Sequence, residues 1–372
     1  MHPSLEYGLV CVVAAAVTYL LTPAARTVAI RWGAVAMPRD RDVHAVAMPR
    51  MGGVALFLGF AAAIVVAHEL PTLRASFSSG PNLTWILLAA MMLCAIGVID
   101  DRLELDSLTK LAGQVAAAGV MVIKGGVQLA VVYTPWSHGV ATSLGADLGI
   151  PATILLTVIT INAINFIDGL DGLAAGVTAI SALAFFIFAY HLASIGDVQV
   201  AAAPTLISAA LAGCCLGFLP HNFSPARIFM GDSGSMLVGL MLSAAATTAT
   251  SSVDPSTLGG RESVALFLPL LLPIAVLALP FVDLLLAVVR RVRRGQSPFA
   301  PDKEHLHHRL LEIGHTHRRA VLVLYFWSAL LAGGGVTFAI FHRPWLVLVT
   351  SVVLAAVGAL ASAVPWLRVG RR

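Results

Sequence analysis

The sequence contains very little charge for its length. Only 11% of its 372 residues are Asp, Glu, Lys or Arg, whereas 58% are hydrophobic and the mean hydropathy is +0.89. A water-soluble domain of this size could not bury so much apolar surface in one core. No polar linker interrupts the chain, so we predict that residues 1–372 form a single integral membrane domain. The composition thereby excludes the soluble classes of enzyme and binding module.

Cysteine is also scarce, and all four cysteines (Cys11, Cys94, Cys214 and Cys215) lie in apolar runs, where they serve as small hydrophobic residues. We find no internal repeat and no low-complexity tract. A cleaved signal is not indicated either, because the first apolar run is preceded by Glu6 rather than by Lys or Arg, and no clear small-residue cleavage site follows it. We expect this run to be a retained helix.

Apolar runs, by contrast, recur along the whole chain. Each is close to the roughly 20 residues that cross about 30 Å of hydrocarbon. They predict an all-α polytopic membrane protein with about eleven transmembrane helices. The approximate spans are 5–30, 51–68, 84–99, 108–123, 151–166, 172–191, 200–219, 234–250, 264–289, 320–341 and 344–365.

The basic residues indicate the orientation of these helices, because cytoplasmic loops of membrane proteins collect Lys and Arg. If the loops alternate between the two sides, one side receives only Arg74, Lys124, Arg261 and Arg343 of the 23 basic residues. The other side receives all the rest, so it should be cytoplasmic. The N-terminus is then outside and the C-terminus is cytoplasmic. On the outer side, alternating apolar residues within 126–150 predict a short periplasmic β-hairpin.

Acidic residues beside apolar spans require an explanation, because a charge at the centre of a bilayer costs on the order of 3 kcal/mol. Three clusters fall on the predicted cytoplasmic side and could share one site, and a further acid lies inside the run PFVDLLL. In chain order these acids are Asp100 and Asp101, Asp168 and Asp171, Asp232, and Asp283. The simpler alternative is that they are interfacial caps facing water, and for Asp283 alone we favour that alternative.

Asp168 and Asp171 are three residues apart, the spacing that places side chains on one face of a helix, and Asn165 lies three residues further back. Oxygen-rich clusters of this kind suit Mg²⁺, or Mn²⁺ in its place, since both are hard ions that share their coordination with water and substrate phosphates. The spacing therefore predicts a divalent cation site.

The last large cytoplasmic loop contains His305, His307 and His308. A histidine-rich tract can indicate zinc. Here no cysteine lies in any predicted cytoplasmic loop, and the spacing differs from that of zinc fingers. Hydrogen bonding to a phosphate or a sugar is the interpretation we favour.

Taken together, these motifs resemble the polyprenyl-phosphate N-acetylhexosamine-1-phosphate transferases (glycosyltransferase family 4), and specifically the branch that uses UDP-N-acetylglucosamine. The resemblance covers nearly the whole chain. It runs through RDVHAVAMPRMGG, GVIDDRLELDSLTKL, NAINFIDGLDGL, FMGDSGS and SPFAPDKEHLHHRL. It implies a transferase with a cytoplasmic cleft, in the cytoplasmic membrane of a bacterium, that joins the sugar phosphate of UDP-N-acetylglucosamine to undecaprenyl or decaprenyl phosphate, releases UMP, and is sensitive to tunicamycin.

The resemblance also implies roles for individual residues. Metal binding is assigned to Asp232 and Asp171, and catalysis to Asp100, Asp101, Lys110 and Asp168, with Lys110 neutralising the diphosphate. The substrate-binding residues it implies are Arg41, His44, Arg50, Asn165, Phe229, His305, His307, His308 and Arg309, of which Phe229 would stack on uracil. The implied partners are the two substrates and the lipid bilayer; a homodimer is left open, and no nucleic acid is expected.

Two questions stay open at this point. A phosphate monoester is largely a dianion at neutral pH, which favours direct attack on the β-phosphorus, but a covalent aspartyl-phosphate route through Asp100 or Asp101 is an alternative. The related enzymes that transfer phospho-N-acetylmuramoyl-pentapeptide have three adjacent histidines in the corresponding loop. Here Leu306 interrupts that run, which favours N-acetylglucosamine. A secondary transporter is disfavoured because no repeated halves are visible.

Overall fold

The computed structural model describes residues 3–36, 47–77, 80–129, 131–133, 141–195, 198–251 and 314–340, with shorter pieces at 285, 289–290, 292–293, 295, 345, 347–356 and 358. Several predicted site residues fall outside this set. They are Arg41, His44, Asp283, His305, His307, His308 and Arg309. Most of the predicted span 264–289 also lies outside the described residues.

The described chain is helical apart from two pairs of very short strands. The helices are α1 (Pro3–Trp32), α2 (Gly52–Glu69), α3 (Leu83–Leu103), α4 (Ser107–Gly119), α5 (Gly145–Ile167), α6 (Leu173–Ile195), α7 (Val198–Asn222), α8 (Gly231–Ser251) and α9 (His317–Ile340). A 3₁₀ turn spans Leu73–Phe77, and a π-helical turn, Val120–Lys124, continues α4. The strands are β1 (Val35–Ala36), β2 (Met48–Pro49), β3 (Val131–Tyr133) and β4 (Ala141–Ser143).

Seven of these helices are long and apolar enough to cross a membrane, namely α1, α2, α3, α5, α6, α7 and α9. The chain is therefore a polytopic membrane protein, as its composition predicts. The predicted spans 108–123 and 234–250 are also helical, as α4 with its π turn and as α8, but they are not among the seven. The total of eleven transmembrane helices remains a prediction.

Helix α8 lies at the centre of the bundle and packs against α5, α3, α7, α2 and α6. Every residue from Ser233 to Thr250 is buried. Small side chains allow this close packing: a Cβ added at Gly239 would lie 2.7 Å from Cα of Ile161 in α5. Its buried hydroxyls have partners too, such as Ser243, whose Oγ is 2.8 Å from Oγ1 of Thr157. Because α8 is surrounded by other helices, its surface does not have to be apolar enough to face lipid, which explains why it is less apolar than its neighbours.

The predicted β-hairpin is present. Strands β3 and β4 pair antiparallel, with Val132 opposite Thr142. On which side of the membrane this hairpin lies is still a prediction. A second antiparallel pair, β1 with β2, brings the chain after α1 back to the start of α2.

Candidate active site

The end of α3 meets the beginning of α8 through the carboxylate of Asp101. Its Oδ1 accepts a hydrogen bond from the backbone N–H of Asp232 at 2.8 Å, and its Oδ2 accepts one from Ser233 at 3.2 Å. The contact requires glycines on both helices: a Cβ at Gly231, where φ is +70°, would lie 2.5 Å from Oδ1 of Asp101, and one at Gly97 would lie 2.3 Å from Cα of Ser233. Asp101 therefore caps the positive end of α8.

Asp100, Lys110 and Asp232 form a carboxylate–lysine cluster beside this cap. Nζ of Lys110 lies 2.5 Å from Oδ2 of Asp100 and 2.7 Å from Oδ2 of Asp232. The other oxygen of Asp100 accepts the backbone N–H of Leu105 at 2.7 Å. Asp100 is only 1% exposed, whereas the side chains of Lys110 and Asp232 are 30% and 25% exposed. Asp100 therefore anchors the cluster in the protein interior, while Lys110 and Asp232 are accessible to solvent or substrate.

Two polar layers on α4 and α5 support the cluster. In the first, Nδ2 of Asn165 donates to Oδ1 of Asp232 at 2.6 Å and to Oγ of Ser235 at 2.8 Å. In the second, Nδ2 of Asn162 donates to Oε1 of the buried Gln114 at 2.7 Å. Sequence reasoning found Asn165 but missed Gln114 and Asn162. Their spacing held a clue, since Gln114 lies one helical turn after Lys110 and Asn162 one turn before Asn165.

Asp168 follows the last residue of α5 and is partly buried. Desolvation by burial raises the pKa of Asp168 to about 8, and the carboxylates of Asp232, Asp101 and Asp171 add to the increase, while the guanidinium of Arg50 offsets part of it. This carboxyl group therefore lies within electrostatic range of three other acids. The shift is the expected consequence of crowding acids whose charges are only partly neutralised.

Asp171 is buried in the loop between α5 and α6, and backbone contacts hold it in place. Its Oδ2 accepts the N–H of Ala226 at 3.0 Å, and its own N–H donates to Nε2 of His317 at 3.0 Å. Nearby, Asn222 accepts the N–H of Gly172 at 3.1 Å and donates to the carbonyl of Ile228 at 3.0 Å. Sequence reasoning missed both Asn222 and His317, because neither an isolated Asn at the end of an apolar helix nor a histidine beyond the 305–308 tract stood out.

The segment that carries Phe229 is fastened to the chain before α2. The N–H of Phe229 donates to the carbonyl of Pro49 at 2.8 Å, and its carbonyl accepts the N–H of Gly52 at 3.2 Å. The carbonyl of Met230 accepts the N–H of Gly53, also at 3.2 Å. The motifs PRMGG and FMGDSGS are therefore neighbours in space. This contact brings Arg50 to the same region as Phe229.

The donors in this region fit a magnesium ion. Two carboxylates, those of Asp100 and Asp232, already converge on a single cation, the ammonium group of Lys110. No group of three His, Cys, Asp or Glu side chains able to form a metal cage occurs among the described residues. Magnesium does not require one, because it usually takes one or two carboxylates and completes its shell with water and substrate phosphates.

Comparison with known proteins identifies the family. The sequence profile of glycosyl transferase family 4 matches residues 83–250, the part of the chain that carries the carboxylate–lysine cluster. Over 99% of its length, the chain is 49% identical to the decaprenyl-phosphate N-acetylglucosaminephosphotransferase of Mycolicibacterium smegmatis, covering 90% of that protein. The chain belongs to glycosyl transferase family 4. The resemblance found in the sequence motifs is thereby confirmed.

Two further relatives support the same conclusion. The chain is 48% identical to the decaprenyl-phosphate N-acetylglucosaminephosphotransferase of Mycobacterium leprae, over 92% of this chain and 86% of that protein. It is 30% identical to the undecaprenyl-phosphate alpha-N-acetylglucosaminyl 1-phosphate transferase of Salmonella typhimurium, over 87% of this chain and 82% of that protein. These family members come from bacteria and span most of the chain.

The structure brings most of the predicted residues that it describes to one end of the bundle. Direct side-chain contacts join Asp100, Lys110, Asn165 and Asp232, while Asp101 reaches this group through backbone N–H groups. Asp168 interacts electrostatically with Asp232 and Asp101 of this group, and also with Arg50. Their individual roles in catalysis and binding are not decided by this arrangement and remain predictions.

Proposed function

We propose that this member of family 4 transfers N-acetylglucosamine 1-phosphate from UDP-N-acetylglucosamine to a polyprenyl phosphate, forming polyprenyl-diphospho-N-acetylglucosamine and releasing UMP. The observation that carries the proposal is the carboxylate–lysine cluster at the open end of a helical bundle, in a chain 49% identical to enzymes named for this transfer. The reaction would be the first membrane step in the synthesis of a cell-envelope glycopolymer.

The acceptor that we favour is decaprenyl phosphate. The mycobacterial relatives at 48 to 49% identity are named for decaprenyl phosphate, whereas the Salmonella relative at 30% identity is named for undecaprenyl phosphate. We further propose that the protein lies in the bacterial cytoplasmic membrane with about eleven transmembrane helices and with the active site facing the cytoplasm. The distribution of basic residues supports this orientation.

The chemical obstacle in this reaction is the repulsion between two phosphate groups. Lys110 would neutralise charge on the diphosphate, and its two bonds to Asp100 and Asp232 keep the ammonium group in position. By the resemblance to the family, Asp232 and Asp171 would hold Mg²⁺, or Mn²⁺ in its place, and the convergence of the Asp232 and Asp100 carboxylates on one cation supports the assignment of Asp232. The bound ion would lower the charge of the diphosphate and stabilise the departing UMP. Asp168, whose raised pKa of about 8 keeps its carboxyl group mostly protonated near neutral pH, would be a catalytic residue able to exchange a proton beside these acids.

In the step itself, an oxygen of the lipid phosphate attacks the β-phosphorus of the donor. A new P–O bond forms, the bond to the α-phosphate oxygen breaks, and that oxygen leaves with the electron pair as part of UMP. Asp100 would orient the lipid phosphate or accept its remaining proton, and Asp101 would act indirectly by fixing the end of α8. The route through an aspartyl-phosphate is the alternative, and exchange of labelled UMP into the donor without lipid would distinguish it.

Recognition of the donor would involve residues of the described site together with residues outside the described set. Phe229 would stack on the uracil ring, Asn165 would contact the donor or position Asp232, and Arg50 would offset phosphate charge. The proposed contacts from outside the described residues are Arg41, His44, His305, His307, His308 and Arg309. Their proposed roles are supported by the resemblance to the family.

The proposal is tested by supplying the purified protein with UDP-N-acetylglucosamine, Mg²⁺ and decaprenyl phosphate. We expect UMP and a lipid-linked diphosphosugar in equal amounts, with little product after EDTA treatment. Parallel reactions with undecaprenyl phosphate and with the muramoyl-pentapeptide donor measure selectivity. Failure to form lipid-linked sugar with either polyprenyl phosphate would contradict the proposed function, and equal turnover of the muramoyl donor would contradict the assigned sugar.

A further inference from the structure

A cavity of about 540 Å³ lies between α1, strand β2, the end of α7 and the residues that directly precede Phe229. Its lining includes Arg26, Arg227 and His221 together with the apolar residues Pro23, Met48 and Ile228. None of the residues in the carboxylate–lysine cluster lines it. The cavity is therefore separate from the carboxylate–lysine cluster, and its charged lining residues are basic.

A hydrogen bond to the backbone of Arg227 connects the two arginines that line the cavity. Nε of Arg26 donates to the carbonyl of Arg227 at 2.9 Å, and the N–H of Arg227 donates to the carbonyl of His221 at 2.9 Å. Both arginine side chains are exposed, and neither forms an ion pair with any residue in the described part of the chain. Two guanidinium groups that have no carboxylate partner among the described residues favour an anion with several oxygen atoms.

The surface next to the cavity is apolar and faces outward from the bundle. Tyr19 and Leu20 of α1 are 47% and 69% exposed. The ring of His221 packs on that of Tyr19 at 4.7 Å between centroids, and its Nε2 donates to the carbonyl of Tyr19 at 3.0 Å. An amphipathic aromatic residue between basic side chains and exposed leucine is typical of the level at which lipid headgroups meet acyl chains.

We propose that this cavity binds the phosphate headgroup of an anionic membrane phospholipid, with its acyl chains lying along the exposed face of α1. Basic pockets between transmembrane helices are suited to such headgroups. The ligand would be a structural or regulatory lipid rather than the polyprenyl phosphate consumed in the reaction.

Occupancy of the cavity would be transmitted to the active site through backbone hydrogen bonds. Ala226 lines the cavity, and its N–H donates to Asp171. Pro49 also lines it, and its carbonyl accepts the N–H of Phe229. A headgroup that orders these residues should therefore order the segment carrying Phe229, and an anionic lipid should increase the activity of the enzyme as well as its stability.

The test measures binding directly, so it does not depend on the proposed transferase function. Dioctanoyl phosphatidylglycerol is titrated into the purified full-length protein in a nonionic detergent, and binding is followed by native mass spectrometry and by the thermal midpoint. Dioctanoyl phosphatidylcholine is the neutral-lipid control. We expect saturable binding of phosphatidylglycerol with an increase in the midpoint, and Arg26→Gln and Arg227→Gln should each weaken that binding roughly fivefold.

Arg31→Gln is the matched control, because Arg31 is exposed on the same helix but does not line the cavity. It should bind the lipid as the wild type does. Arg227→Lys, which keeps the charge, should retain most of the binding and so separate loss of charge from loss of folding. Unchanged binding in both glutamine variants would overturn the proposal.

Two further arms identify the source of the phosphate. Inorganic phosphate at the same concentration should not raise the midpoint; an equal increase would show a site for the free anion and overturn the lipid assignment. Polyprenyl phosphate should not displace phosphatidylglycerol. Stoichiometric displacement, lost in Arg227→Gln, would assign the cavity to the acceptor substrate and overturn the proposal of a separate lipid.

Discussion

The carboxylate of Asp101 accepts a hydrogen bond from the backbone N–H of Asp232 at 2.8 Å, so one acidic residue of the site positions another. The carboxylate of Asp101 is only 4% exposed and uses both oxygens on backbone donors of α8. Its negative charge also interacts favourably with the positive N-terminal end of the α8 dipole. The arrangement favours a positioning role for Asp101, whose partners are backbone groups, whereas Asp100 is bound through Oδ2 to the partly exposed ammonium group of Lys110.

Replacing Asp101 should therefore affect stability as much as activity. Asp101→Ala removes a buried helix cap, and we expect the free energy of unfolding to fall by about 1–3 kcal/mol, seen as a lower thermal midpoint in detergent. Asp106→Ala is the control, because Asp106 caps α4 through the N–H groups of Leu108 and Thr109, at 3.0 Å each, and is exposed. It should lower the midpoint less and leave kcat near the wild-type value. A wild-type midpoint in Asp101→Ala would argue against the cap.

The two acids of the carboxylate–lysine cluster should respond differently to neutralisation. In Asp232→Asn a proposed Mg²⁺ ligand is lost, so kcat should collapse and added Mg²⁺ should restore little of it. In Asp100→Asn the proposed loss is a contribution to orienting or deprotonating the lipid phosphate, worth roughly 10²–10⁴ in rate, and a higher pH should recover part of it by ionising the substrate. The measurements are kcat against Mg²⁺ concentration and against pH for both variants.

The opposite pattern would contradict these assignments. If Asp100→Asn showed no recovery at high pH, and the wild type exchanged labelled UMP into UDP-N-acetylglucosamine without lipid, a covalent route would replace direct attack. If Asp232→Asn were rescued fully by Mg²⁺, its proposed place as the principal metal ligand would be wrong.

Close backbone packing around the start of α8 gives a third prediction. A Cβ at Gly53 would lie 2.2 Å from the carbonyl carbon of Ser233, a backbone atom that cannot move aside cheaply. Gly53→Ala should therefore destabilise the protein by about 1–3 kcal/mol and displace the end of α8, lowering kcat with it. Gly119→Ala is the control, since a Cβ there meets nothing within 4 Å. It should leave the thermal midpoint unchanged or raise it slightly.

Equal midpoints in Gly53→Ala and Gly119→Ala would show that α2 and α8 can separate without cost. That outcome would also show that the second glycine of PRMGG, which approaches Ser233, is not required for this packing.

The sequence was sufficient to predict a helical membrane protein and to group acids from distant segments into one site, because charge beside apolar runs is conspicuous. It could not predict which acid would have which partner. The partners of Asp101 are backbone N–H groups, which no sequence pattern identifies. Gln114 and Asn162 are uncharged and far apart in sequence, so their contact depends on how α4 and α5 pack. The second, basic cavity was missed because its arginines look like ordinary markers of orientation.

The raised pKa of Asp168 leads to the last prediction, which concerns pH. The folded-state pKa of about 8 exceeds the ordinary value of 3.8, so between these values the folded protein holds a proton that the unfolded chain releases. Stability should therefore fall as the pH rises from about 4 to about 8, and then level off. In Asp168→Asn the carboxamide cannot ionise, so this part of the slope should disappear. Thermal midpoints of both proteins in EDTA, measured from pH 5 to pH 9, provide the test. Asp168→Asn should gain most over the wild type at the alkaline end, and parallel curves would show that Asp168 keeps an ordinary pKa.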